Sequence, residues 1–506
     1  MSGRGLKERI ASLSPEKRAQ LEKRLLEQRQ AAGSAKPIRP RSAGDPSPLS
    51  FAQQRLWFLD QLTPGTATYN VAYALRIDGP LDAGALDQAL HAFIGRHEIV
   101  RTKLVPIRGN PVPVVAKSWS SSLRIVDLRD LPAEAREAEA QRLVVEEAAK
   151  PWNFARDLML RCVLVRLAEE EHVFLHVSHH IAWDLRSKVI FYQELGALYA
   201  AIRGGEAPAL PELPIQYADY ALWQRKLLES EALEKLASYW KQQLDGKPEK
   251  LELPIDKPRP PAQSLRGKKL GISLPAPLIE ACRALARQSG ATLFMTLFAA
   301  FDVFLYALTG AVDISVGSPV AGRNQVEVEG LVGFFINTLV LRVRLSGSVR
   351  EGEGGAAAAP SFREIIGRAR ETLLAAIAHQ EMPFDKIVEL LRPPRDLSRM
   401  PLFQVNFRVQ GASTPPLKLA GAKVTPLDLL DTATSKFDLA LELPAADGAS
   451  GYWEYSTDLF EEATIARFSA ELLELLAALI AAPDAPFASL PVTEALRARY
   501  AGRPLG

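Results

Sequence analysis

The sequence predicts an α/β protein, on three observations. Stretches with apolar residues at every second position alternate with stretches at helical spacing. The alternation runs through both halves of the chain. The 506 residues, 47% hydrophobic and 24% charged, have an ordinary globular composition and suffice for two sizeable cores.

Taken in order, Ser14-Pro15-Glu16 supplies a helix start: an N-cap, a proline in the first turn and an acid near the positive helix end. Leu21, Leu25 and Leu26 give that helix a thin apolar stripe. Residues 33–48, rich in Pro, Ser, Gly and Arg, read as a linker. Residues 1–42 carry 11 Lys and Arg against 4 Glu, a net of +7, which leaves −5 for the rest of a +2 chain. Such a leader is either a docking element for a partner chain or a solvated basic segment.

The folded body is expected from about Leu49. Residues 50–59 read as an amphipathic helix with a heavy aromatic side, and residues 86–96 as a second helix, which residues 96–102 leave toward a strand. A helix at 133–149 and a strand at 162–167 follow. Val173, Leu175 and Val177 then alternate with His172, Phe174 and His176, the pattern of a strand with one buried face. Val189, Ile190, Phe191, Leu195, Leu198 and Tyr199 recur at helical spacing. Between that strand and helix stands Ser178-His179-His180-Ile181-Ala182-Trp183-Asp184. A strand-to-helix connection is where a rigid scaffold presents reactive groups. Histidine exchanges protons near neutral pH, and a carboxylate can orient a neighbour or cap a helix. Taken alone, the stretch reads equally as two loop histidines and a capping aspartate.

After a proline-bounded segment at 208–214, Tyr217 opens a helix, and the boundary between two lobes is placed there. The second half repeats the style. It has helices at 276–289 and 292–309, a strand and turn over 313–323, and a strand at 339–345 led in by residues 332–338. Residues 352–360 are low-complexity and read as a flexible loop. The expected organisation is a basic helix and linker at 1–45, a first lobe at 46–222, a second at 223–495 and a C-terminal linker at 496–506.

Composition also narrows the function. A net charge of +2 gives no overall field for nucleic acid or membrane. Two cysteines exclude a disulfide framework, and Cys162 and Cys282 fall in apolar strand and helix patterns, as core residues do. The longest apolar stretch, 293–308, is broken by Thr296 and Asp302 and reads as a buried helix. The N-terminus lacks the apolar run of a secretory signal, so a cytoplasmic location is expected. There is no Gly-x-Ser-x-Gly elbow, no Cys-x-x-Cys metal spacing and no Gly-rich phosphate loop.

Seven blocks together carry a resemblance: SFAQQRLWFL, RHEIVRT, SHHIAWD, YADYALW, VGFFINT, HQEMPFD and RDLSRMPL. One block is weak, but in this order the seven resemble the core motifs of the condensation domain of nonribosomal peptide synthetases, over roughly residues 48–480. The resemblance implies two chloramphenicol-acetyltransferase-like lobes forming a V-shaped pseudo-dimer, with a tunnel between them. It implies amide formation between a donor acyl thioester and an acceptor amine. Both are carried on phosphopantetheine of partner peptidyl carrier proteins, beside an adenylation domain, and the domain itself binds no cofactor and no metal. A monomer is expected. The chemistry asks little, because a thioester is activated and a free α-amine has a pKa near ~8. Positioning and the handling of one proton then suffice.

By the same resemblance His180 contacts the attacking amine as base or as orienting acceptor, His179 supports it, and Asp184 pairs with Arg323 across the fold. Asn337 matches a tunnel-facing asparagine, its alternative being a satisfied turn residue. Arg55, Trp57, Tyr217 and Arg399 match mainly structural positions. The chain departs from the pattern after Asp184, where the family has Gly and an aromatic or apolar residue. Here Leu185-Arg186 follow, only Ser187 fits, and Trp183 precedes. Trp183 and Leu185 are expected to add bulk beside the histidines, and the helix to begin at or just after Asp184 in an ordinary right-handed or extended conformation.

The block style most resembles subtypes joining two L-configured residues. Starter-type N-acylation, ester formation and a non-catalytic recruitment module are the alternatives. Epimerisation fits the flanking blocks less well, and heterocyclisation replaces the first motif histidine by aspartate. No carrier-domain attachment serine is recognised, so the chain is expected to be free-standing or excised from a longer synthetase.

Overall fold

In the computed structural model, residues 37–502 are described, except 43, 121–122, 247–249, 347–358, 411–414, 428–432 and 446–449. The expected N-terminal helix and most of the low-complexity loop lie outside the described residues. Ordered packing reaches upstream of the expected start at Leu49. Arg41, inside the expected linker, donates from its backbone N and Nε to Asp219 Oδ1 at 3.0 and 2.8 Å.

The first lobe runs α1 (Phe51–Leu62), β1 (Asn70–Asp78), α2 (Ala83–Arg96), β2 (Thr102–Ile107), β3 (Asn110–Val115), β4 (Leu123–Asp127), α3 (Ala133–Ala149), β5 (Leu160–Arg166), β6 (Glu171–His179) and α4 (Leu185–Gly204). Helices α5 (Tyr217–Leu228) and α6 (Ala232–Gln243) follow. The second lobe runs β7 (Gly267–Ser273), α7 (Ala276–Gln288), α8 (Leu293–Thr309), β8 (Asp313–Val320), β9 (Asn337–Arg344), α9 (Phe362–Ala378), α10 (Phe384–Leu391) and β10 (Val405–Gln410). It ends with β11 (Lys423–Pro426), β12 (Leu439–Pro444), β13 (Ser450–Ser456), α11 (Glu462–Ala481) and α12 (Pro491–Tyr500).

Two mixed sheets organise the lobes. The first has the order β11-β1-β6-β5-β4, the second β7-β13-β12-β10-β8-β9. Strand β6 is central, paired antiparallel to β1 on one side and β5 on the other. The alternation at 172–177 predicts one buried face, but all of β6 after Glu171 is buried. The reason is a second layer. Helix α3 covers one face, and α4 covers the other, where Phe191 and Tyr192 lie 5.0 and 5.4 Å from the His176 ring. His176 is therefore a core residue, its Nε2 3.0 Å from the Tyr192 hydroxyl. Strand β11 crosses from the second half of the chain to edge the first sheet, with Leu75 opposite Pro426.

In the second lobe α8 is nearly all core, as its composition predicts. Thr292 caps its N-terminus through a hydrogen bond from Met295 N, and Gly310 ends it at a φ of +79° that favours glycine. Among the described residues no single helix is long and apolar enough to cross a membrane. The expected boundaries shift in two places. Residues 222 and 223 lie inside the continuous helix α5, whose Leu228 already belongs to the second core. The expected linker from 496 begins inside α12. There Leu496 and Tyr500, four residues apart on one helix face, are buried in the second core, and the Tyr500 hydroxyl donates to Glu471 at 2.7 Å.

Candidate active site

Strand β6 ends at His179, and a single 3-10 turn, His180–Ala182, separates it from α4. The turn is held from both sides. His180 N donates to Tyr69 O at 2.9 Å, continuing the β1–β6 ladder by one rung. His179 Nδ1 accepts from Ile181 N at 3.0 Å, which caps the turn and leaves its proton on Nε2. Gln53 of α1 donates from Nε2 to Ile181 O at 3.1 Å.

His180 is fixed by its own turn. Its Nδ1 stands 3.0 Å from Trp183 O, and a carbonyl only accepts, so Nδ1 carries the proton. The other nitrogen, Nε2, keeps a free lone pair. Burial, then the charge of Lys436, push the His180 pKa down to about 3, against the hydrogen bond to Trp183 O. The ring is neutral at pH 7 and only half-buried, 5.6 Å from the Phe334 ring of the second lobe. His179 is 4% exposed and lies edge-on to Phe154 at 4.8 Å. Burial and then the His180 charge hold its pKa well below the usual histidine value. It supports the turn and presents nothing outward.

Asp184 closes the turn and starts α4. Its Oδ1 accepts from Ser187 N at 2.7 Å, the N-cap bond, and both oxygens accept from Arg323 Nη2 at 3.0 Å. Ser187 Oγ donates to the same carboxylate at 2.7 Å and accepts from Gly333 N at 3.0 Å. Arg323 Nη1 donates to Val328 O and Leu331 O at 2.5 and 2.7 Å, and the guanidinium lies 4.1 Å over the Phe335 ring. Both partners are buried, at 2% and 6% side-chain exposure. Two glycines make the approach possible. A Cβ on Gly322, at φ +62°, would stand 2.0 Å from Phe335 O, and one on Gly333 would stand 2.2 Å from the Tyr217 ring. Tyr217 in turn donates to Phe334 O at 2.6 Å and meets Ser50 Oγ at 2.9 Å.

Three expected site residues have other surroundings. Trp183 is fully buried in the first core, 5.5 Å from Phe191 and 6.4 Å from Phe93, and adds no bulk at His180 Nε2. Leu185 is the first residue of α4 and is 52% exposed. Asn337 is fully used by backbone. Nδ2 donates to Gln380 O and Met382 O at 2.8 and 2.7 Å, and Oδ1 accepts from Thr338 N and Phe384 N at 2.9 and 3.0 Å. It clamps the start of β9 to the loop before α10. Two residues near the histidines carry no sequence signal. Tyr69 lies one residue before β1, and Lys436 holds its Nζ 4.5 Å from the Tyr69 ring centroid. Among the described residues no cluster of three His, Cys, Asp or Glu side chains is placed to hold a metal ion.

Fold and site together define a two-lobed α/β protein of the chloramphenicol-acetyltransferase type, with a neutral histidine presented at the end of the central strand of its first sheet. The chain belongs to the condensation-domain family, whose profile matches residues 44–499. It is 46% identical over 447 residues to a linear gramicidin synthase of Brevibacillus parabrevis, covering 88% of this chain and 8% of that one. It is 40% identical over 499 residues to phosphinothricin tripeptide synthetase PhsC of Streptomyces viridochromogenes, covering 96% of this chain and 44% of that one. The chain thus spans less than half the length of either relative. Among solved structures it is similar to the X-domain from teicoplanin biosynthesis, with TM-score 0.79 and 26% identity over 90% of this chain and 99% of that one.

Proposed function

We propose that this domain forms an amide bond between a donor acyl thioester and an acceptor amine, both delivered on the phosphopantetheine arms of carrier proteins. The observation that carries the reading is the free lone pair of His180 Nε2, fixed by the Nδ1 bond to Trp183 O at the lobe junction. The acceptor nitrogen attacks the thioester carbonyl carbon, a C–N bond forms, and the C–S bond breaks. The proton shed by nitrogen ends on the departing thiol. A histidine with a pKa near 3 is a poor acceptor of a full proton at pH 7. It is a good hydrogen-bond acceptor, so its role is to orient the amine lone pair at the carbonyl, the positioning that this reaction chiefly needs.

Asp184 and Arg323 act at a distance from the reacting atoms. They tie the histidine turn to the 323–335 segment of the second lobe, so that the two lobes keep one register at His180. An adjacent adenylation domain and a pair of carrier domains are the partners that this reading implies.

Intact-protein mass spectrometry of a loaded donor carrier and a loaded acceptor carrier, mixed with this chain, tests the reading. Acyl mass must leave the donor and appear on the acceptor. A second reading, a recruitment module, is kept because the chain is also similar to a domain that has been solved in complex with OxyB, at TM-score 0.77 and 28% identity. Binding of both carriers without any transfer of mass would select it.

A further inference from the structure

Lys436 sits just ahead of β12, and one side chain links it to the histidine pair. Its Nζ lies 4.5 Å from the Tyr69 ring centroid, the Tyr69 carbonyl accepts from His180 N at 2.9 Å, and the Tyr69 ring is 6.2 Å from that of His179. Among the described residues no oxygen takes this ammonium in a hydrogen bond or an ion pair. The surrounding carboxylates are engaged by other groups. Arg408 of β10 reaches Glu442 of β12 at 3.4 Å and Glu454 of β13 at 4.0 Å, and the Tyr452 hydroxyl donates to Glu442 at 3.0 Å. Asp385 of α10 faces Arg55 of α1 at 3.4 Å. Removing a cation from water without a partner is costly, and chains keep such groups where they serve a site.

We propose that Lys436 is a positioning residue of the acyl-transfer site, a cation beside the histidine pair with no anionic partner among the described residues, whose field holds the incoming amine in its neutral, lone-pair-bearing form and adds to the burial that keeps His180 neutral. The inference rests on the amide-forming reading above. The amine attacks only as the free base. With an ordinary α-amine pKa near ~8, roughly a tenth of it is free at pH 7. A carboxylate at this place would pin the amine as ammonium. A cation does the opposite, and it does so at the histidine as well.

The charged groups around the pair act in concert. Burial pushes the Lys436 pKa down to about 8, opposed by Glu454 and reinforced by Arg408, Arg55 and Lys269 of β7. Lys436 is therefore charged below about pH 8, where the amine needs help, and loses its charge where the amine is already free. At His180 the opposing cations are Lys436 and Arg408. At His179 they are Lys436 and Arg161 of β5, beside the neighbouring His180 ring, which opposes a second proton. On Tyr69 burial is followed by Arg55 and Asp385, with opposite signs.

The test is the pH profile of single-turnover amide formation from loaded donor and acceptor carriers, for wild type, Lys436→Met and Lys436→Arg. Methionine keeps length and bulk without charge. Its acid limb should move up by about one pH unit, the effect of a unit charge some 8–10 Å away at the effective dielectric of a protein site. Arginine should keep the wild-type limb. A Lys436→Met limb superimposable on wild type, whatever the absolute rate, overturns the inference and leaves the amide-forming reading standing. If wild type makes no amide at any pH, that reading has failed instead. The His180 imidazole resonances then decide the matter for Lys436. They should titrate at a higher pH in Lys436→Met than in wild type, and equal titration would reject the role.

Discussion

Asp184 and Arg323 stand 139 residues apart in the chain and 3.0 Å apart in space, where the histidine turn and the second lobe share a carboxylate. Breaking a buried pair from one side leaves an uncompensated charge. Asp184→Ala and Arg323→Ala should each cost about 3–5 kcal/mol in urea unfolding. The double variant should cost less than the sum. Additive losses would mean that the two residues act independently.

His180→Ala should lower amide formation by about 10²–10³-fold, read as acyl mass transferred between carriers. It also removes the hydrogen bond to Trp183 O, so stability should fall by only about 1 kcal/mol. His179→Ala should behave in the opposite way. It removes the cap on Ile181 N and a buried ring, and its loss should be one of stability first. Near-wild-type turnover of His180→Ala would remove it from the site.

The buried histidines set a pH dependence of stability. His176 and His180 have pKa values pushed down to about 3, and His179 lies well below its ordinary value, burial being the main cause in each. The unfolded chain takes up these protons near pH 6.5, while the folded chain refuses them until far lower pH. Stability should therefore fall as pH drops below about 6.5, and keep falling toward the folded pKa values. A urea midpoint that stays flat between pH 7 and 5 would contradict this. His176→Gln should make the slope shallower.

Asp302 works with the reverse sign. It is fully buried in α8 and neither carboxylate oxygen has a hydrogen-bond partner among the described residues, so burial raises its pKa well above the ordinary value. Its contribution is fully present below about pH 4 and is lost as pH rises toward the folded pKa. Asp302→Asn should gain on wild type as pH rises from 4 to 8 in the same assay. A constant difference across that range would show that the carboxyl does not titrate between the two states.

Trp183 and Leu185 separate core from surface within three residues. Trp183→Ala should cost about 3–5 kcal/mol, because it empties a space walled by Phe93, His176 and Phe191. Leu185→Gly should cost about 1 kcal/mol, the helix-propensity loss at an exposed position. It should leave amide yield nearly unchanged. A large gain in acceptor range from Leu185→Gly would show that the leucine reaches the substrate.

What the sequence made legible follows from signal strength. Helix α3 was readable to the residue by its spacing alone, since Pro132 gives it no side-chain cap, and α8, which Thr292 caps, nearly so. The β2–β3 hairpin was hidden by Pro106, Pro111 and Pro113, tolerated there because it forms a separate two-stranded sheet. Strand β11, four residues long, carries too little pattern to be seen at all. At the site, the histidine turn and the Asp184–Arg323 contact were legible because short motifs mark them. The direction of Trp183 was not, since one ring before a helix can face either side until the core is known. Lys436 was invisible for a different reason. Its proposed role lies in partners it lacks among the described residues, and a missing partner leaves no trace in a string of letters.

The crossing of β11 has a consequence in time. Until residues 423–426 leave the ribosome, the outer edge of β1 has no neighbour, although every other strand of that sheet was made more than 240 residues earlier. During synthesis the first lobe must wait with an open edge, the feature by which nascent chains join to one another. A loop spanning about 350 residues then has to close to seat four residues, a slow and late event by the scaling of folding rate with chain separation. Fragments cut between the lobes would inherit that open edge permanently. Splitting the domain at α5 should therefore yield a first half that aggregates, rescued by supplying the 415–427 segment as a peptide.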